Sequence, residues 1–149
     1  DLAGLSVAKE LPGRSLKPLL DDPDQASREI AISQFPSPAL REWAANPLSP
    51  EMRETFFGPL IKDVEARIIE HHEDIWEREL FEQHLMGYTA RSERYRLIVW
   101  KDYRDLSREA LFVELFDHET DPNETKNVAE ANPEVVAELS AKLAEELGW

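Results

Sequence analysis

Apolar and polar positions along this chain follow two rhythms, one of period two and one of three to four. Leu111, Val113 and Leu115 alternate with Phe112, Glu114 and Phe116, a period-2 run of β-favouring residues that predicts a strand. Asp121-Pro122 stops that ladder, because proline has no amide N–H and restricts the residue before it. Asn123, Glu124 and Asn127 follow as polar groups able to bond the turn backbone. A second alternation runs through Met86, Tyr88 and Ala90 to Arg91, turns at Ser92-Glu93, and returns through Tyr95, Leu97 and Val99 to Trp100. That is a hairpin signal. Glu29 to Phe35 sets Ile30 and Ile32 against Ala31 and Ser33 and reads as a first strand.

The other rhythm is helical. From Glu51 to Leu85, Ile61, Val64, Ile68, Ile75, Trp76 and Leu80 recur at three to four residues, with Gly58-Pro59 dividing a short helix from a longer one. The acidic residues between them (Glu65, Glu70, Glu73, Asp74, Glu77) read as a solvated outer face. Asn132-Pro133 opens a terminal helix, with Asn as N-cap and Pro in the first turn. Val136, Leu139, Leu143 and Leu147 are its apolar stripe, and Glu138–Lys142 is a favourable i,i+4 pair. Pro36, Pro38, Pro47 and Pro50 punctuate a loop, and Asp21 to Ser27 is a polar linker. Near the start, Gly4 reads as the cap of a helix begun upstream, and Ser15 to Leu20 as a short apolar docking segment. The fold class expected is α+β: a small antiparallel sheet of about four strands with helices on one face.

Charge narrows the range of partners. Thirty-one acidic against seventeen basic residues in 149 give a formal charge of −14. A chain that acidic is repelled by phosphate backbones and anionic lipid, which argues against nucleic-acid and membrane partners. It would repel a sulfated sugar as well, unless a basic pocket lies elsewhere in the protein. No cysteine is present, so neither disulfide nor thiolate chemistry is available. The chain begins at Asp1 within what reads as a helix end, which suggests a piece of something longer.

The segment Glu114-Leu115-Phe116-Asp117, then Asp121-Pro122, Glu124 and Asn127-Val128-Ala129, resembles the last strand and exit turn of the sulfatase family. Leu2-Ala3-Gly4-Leu5, with Gly13, Ser15, Leu16, Pro18, Leu19 and Leu20, resembles the segment that closes the catalytic domain of those enzymes. The hairpin Met86 to Arg96 and the run Ser33-Gln34-Phe35-Pro36 look most like the iduronate-2-sulfatase branch. Residues 1–27 would then end the catalytic domain and form a linker. Residues 28–149 would form the C-terminal subdomain of an alkaline-phosphatase-like sulfatase, with a helical insertion at about 39–83. The resemblance implies hydrolysis of sulfate esters, with sulfated carbohydrates as substrates and calcium and a formylglycine nucleophile as cofactors. It also implies a periplasmic or secreted location. The Cys/Ser-x-Pro-x-Arg motif that yields formylglycine does not occur in the chain. The expectation is therefore a C-terminal portion, inert alone, whose main partner is its own N-terminal catalytic domain, and which self-associates when separated from it.

Two residues are carried over as substrate-binding candidates. Gln34 follows strand one and is a candidate sugar contact. Arg91 is a candidate anion ligand or brace at the pocket rim, its alternative being a structural ion pair. Ser37 stands where the iduronate enzymes show Arg, which leaves the sugar open; Arg41 and Lys62 are the candidates to supply that cation instead. No metal ligands are assigned. His71-His72 are adjacent on a helix and so point about 100° apart, and Asp117-His118 lies too late in the chain, where a turn role fits better. The competing expectation is a stand-alone acidic interaction module whose helices over Glu51 to Leu85 bind a basic partner. A phosphoesterase of the same superfamily is a third.

Overall fold

The structure is a computed structural model, which describes residues 4–5, 15–25, 28–36, 58–72, 77 and 79–149. Four strands form one antiparallel sheet in the order β1-β2-β3-β4: β1 (Ala31–Pro36), β2 (Leu85–Arg91), β3 (Tyr95–Asp102) and β4 (Phe112–Asp117). Around it lie α1 (Lys17–Asp21), α2 (Gly58–His72), a π-helical turn (Leu80–His84) and the terminal helix α3 (Pro133–Leu147). This is the α+β architecture that the two rhythms predict.

Register decides which side chains share a face. Ala90 pairs with Leu97 and Leu97 with Leu115, while Tyr88 pairs with Val99 and Val99 with Val113. With a side-chain period of two, these residues all point to one face. There they meet Leu139 and Leu143 of α3. Leu97, Leu115 and Leu143 are fully buried, so this layer is the centre of the core. The stripe predicted for α3 holds at Leu139 and Leu143, whereas Leu147 is 38% exposed. Trp149, just past the left-handed Gly148 cap, packs there instead, edge-on to Tyr88 with ring centroids 4.7 Å apart.

The opposite face carries a smaller cluster. Leu80, Phe81 and Leu85 pack with Trp100, Leu111, Phe112 and Ile68 of α2. The helical rhythm suggested a helix running to Leu85, but α2 ends at His72, Glu77 lies outside any helix, and a separate π turn over Leu80–His84 hands the chain directly to β2. Gly87 sits under the Trp100 ring: a Cβ added there would lie 3.0 Å from the nearest ring carbon. Glycine is required because Trp100 covers its neighbour on β2.

Three further expectations meet the structure. Asn132 precedes α3 as predicted, but its side chain makes no capping bond; its Nδ2 donates to the Val128 carbonyl at 2.9 Å. Lys142 does pair with Glu138 at 2.7 Å, and also with Glu29 at 2.8 Å, which ties α3 to the approach to β1. Leu16 and Leu20 are about two-thirds exposed, an apolar surface uncovered by the described residues. The proline loop from Ser37 to Pro50, with Arg41, and the residues Glu73 to Trp76 lie outside the described residues.

Candidate functional site

Gln34 and Arg91 do not come together. Gln34 pairs with Tyr88, which places it on the α3 face, on the edge strand of the described sheet and exposed to solvent. Arg91 pairs with Arg96 on the other face and is half-buried. Its Nη1 donates to the Ser92 carbonyl and, at 3.4 Å, to that of Tyr95. Ser92 closes the same turn: its amide bonds the Tyr95 carbonyl at 2.9 Å and its hydroxyl accepts from the Tyr95 amide at 2.9 Å. Arg91 therefore clamps the hairpin tip through backbone carbonyls.

The Asp-Pro motif after β4 builds a closed edge. Asp121 accepts from the amides of Thr125 (2.6 Å) and Lys126 (2.8 Å), so its carboxylate organises the turn; burial pushes this carboxyl up, but the amides together with the Thr125 hydroxyl outweigh it and lower the group from its ordinary range. The turn delivers Asn127 to the outer side of β4. Asn127 Oδ1 accepts from the Leu115 amide at 3.0 Å and its Nδ2 donates to the Val113 carbonyl at 3.1 Å. Its side-chain amide thus occupies the place of a fifth strand's backbone. Val128 N continues the substitution by bonding the Leu115 carbonyl at 2.8 Å, and Asp121 N bonds that of Asp117 at 2.8 Å. An edge strand with unpaired amides invites aggregation; here the chain caps its own edge.

Around that turn is a charged network that the sequence pattern does not reveal. Arg94 makes a two-pronged bond to Asp117 (2.8 and 2.7 Å) and also reaches Glu119 at 2.6 Å. This fork holds the Asp117 carboxyl at about 2, and Glu119 N and Thr120 Oγ1 bond the same group. Glu124 bonds Arg96 through one oxygen and His118 through the other. Glu124 has φ of 55°, a left-handed conformation costly for a residue with a side chain, so these two partners hold it there. Asp117 and His118 each spend their side chains on the turn. A hint was available in the sequence: cations at Arg94 and Arg96 flank the start of β3 just where Asp117 ends its antiparallel neighbour.

At the far end of the sheet, the π turn brings Glu79 and His84 to 3.5 Å, while His84 Nδ1 lies 3.2 Å from the Tyr103 hydroxyl. Asp102 pairs with Arg104 at 2.6 Å, and this pairing lowers the Asp102 carboxyl from its ordinary range. Residues five apart diverge on an α-helix; the wider π turn brings them to one side.

Among the described residues no three His, Cys, Asp or Glu side chains assemble into a metal-binding group. No described helix is long and apolar enough to cross a membrane. What the geometry defines is an α+β domain whose polar groups brace turns and one sheet edge. No protein-family model, curated protein or solved structure matches the chain.

Proposed function

We propose that this chain is the C-terminal portion of a sulfuric ester hydrolase of the iduronate-2-sulfatase-like kind, shaping the substrate cleft while the nucleophile and metal ligands lie upstream. The observation that carries the reading is the exit turn. Asp121, Glu124 and Asn127, residues on which the sulfatase resemblance rests, each have a distinct bonding task in a single unit with the last strand. The hairpin and the first strand, which carry the rest of the resemblance, are its direct neighbours in the sheet. The calcium and formylglycine of such enzymes find no seat in the described donor set, so no chemical step is assigned to these residues.

In this reading the two candidates divide the work. Gln34, solvent-facing on the edge strand, contacts the sugar, and Arg91, engaged with turn carbonyls, keeps the hairpin tip in shape. The exposed Leu16 and Leu20 dock on the catalytic domain, a contact that stabilises by about 25 cal/mol for each Å² of apolar surface removed from water. The test is the reading frame upstream of Asp1. It should encode Cys/Ser-x-Pro-x-Arg, and mass spectrometry of the expressed protein should find that Cys or Ser converted to formylglycine. A frame that encodes no such motif, or none upstream at all, overturns the proposal.

A further inference from the structure

On the α3 side of the sheet, a cleft of about 420 Å³ opens between β3, β4, α3 and the loop that joins the two strands. Leu106, Ala110, Val113 and Leu143 supply its apolar walls, and Lys101 and Trp149 lie together in its lining. The Lys101 ammonium stands 5.0 Å from the Trp149 ring centroid, a cation–π contact. The four other cations of β3, the loop after it and α3 (Arg96, Arg104, Arg108 and Lys142) each have a carboxylate partner. Lys101 has none among the described residues, although it is half-buried and the chain carries 31 acids.

An unmatched cation beside an apolar recess is the complement of a small molecule with one negative end and a greasy body. We propose that this cleft binds an amphipathic monoanion, an aliphatic or aryl carboxylate, whose head pairs with Lys101 and whose tail lies against Leu106, Ala110 and Leu143. The volume falls in the lower part of the range for small-molecule sites. Glu109 also lines the cleft but is solvent-exposed, where water screens its repulsion of the head group. Ser107 is already committed to Asp105 at 2.6 Å, which leaves Lys101 as the group that selects the charge. The inference does not depend on the sulfatase reading and needs no catalytic activity.

The probes are decanoate, 1-decanol and decyltrimethylammonium, each kept below its aggregation concentration and titrated into the isotope-labelled 149-residue chain while amide shifts are followed. Decanoate should move the amides of Lys101, Leu106, Ala110, Leu143 and Trp149, and should bind about tenfold tighter than decanol, the worth of one charge-assisted hydrogen bond. Decyltrimethylammonium should bind more weakly than either. Lys101→Met, which keeps the apolar stem, should bring decanoate down to the decanol affinity, and Ala110→Leu should weaken both by filling the recess. Equal affinity for decanoate and decanol in the unaltered chain overturns the proposal whatever the variants do. So do shifts confined to the exposed leucines Leu16 and Leu20, or the absence of binding.

Discussion

Asn127→Ala is the sharpest probe of how the last strand is held. The substitution removes two bonds to the outer side of β4, to Leu115 N at 3.0 Å and Val113 O at 3.1 Å, and a local one from Ala129 N at 3.0 Å. At about 1 kcal/mol net for each bond the ceiling is near 3 kcal/mol. Asn127 is itself exposed, so water reaches part of the vacated edge, and about 2 kcal/mol is the working figure. For a chain of 149 residues that corresponds to a fall in Tm of about 4–8 °C. The assay is urea unfolding of both proteins, paired with hydrogen exchange at the Leu115 amide. That amide belongs to a fully buried residue and should exchange faster in the variant by more than the global loss explains. Asn123→Ala, four residues earlier on the same turn and exposed, is the control and should stay within about 0.5 kcal/mol. Equal stability of Asn127→Ala and the unaltered chain would refute the side chain's role as a surrogate strand.

Two other substitutions test separate parts of the account. Gly87→Ala forces a methyl to 3.0 Å from a Trp100 ring held by its Nε1–H bond to Glu114 at 2.8 Å, and should cost about 1–3 kcal/mol in denaturant melts with a changed near-ultraviolet aromatic signal; a neutral result would show that Trp100 swings away freely. Asp117→Asn tests the Arg94 fork through pH. Because folding lowers the Asp117 carboxyl from 3.8 to about 2, its contribution is complete above the unfolded value and lost as pH falls through the folded one. The Tm gap between the unaltered chain and Asp117→Asn should therefore be constant from neutral pH down to about 5 and close as pH approaches 2. A gap that widens on acidification contradicts the assignment.

The sheet was legible from the sequence because its strands are half-buried, and alternation is the direct imprint of one face packed and one not. Leu97 and Val99 point to α3 and Arg96 and Ile98 point away, so the hairpin could be placed almost to the residue. The π turn was not legible: Leu80 continues a helical rhythm, and only the backbone geometry shows α2 ending at His72 and a wider turn over Leu80–His84. Candidate sites were harder still. Gln34 and Arg91 stand in separate motifs, and only the register shows them on opposite faces. Asn127 was readable as a turn residue, yet its partners lie 12 and 14 positions back, a distance no local pattern encodes. Lys101 stands out by its place beside an apolar cleft with no carboxylate paired to it among the described residues, and that requires coordinates.

The central claim is that the chemistry of this protein resides upstream of a C-terminal subdomain that shapes the cleft. Sulfate release from a chromogenic aryl sulfate and from sulfated disaccharides, measured with calcium for the whole reading frame and for the 149 residues alone, tests it most directly. The account predicts release by the whole protein and none by the 149 residues. Turnover by the 149 residues alone, or an inert whole protein whose formylglycine is fully formed, would contradict it.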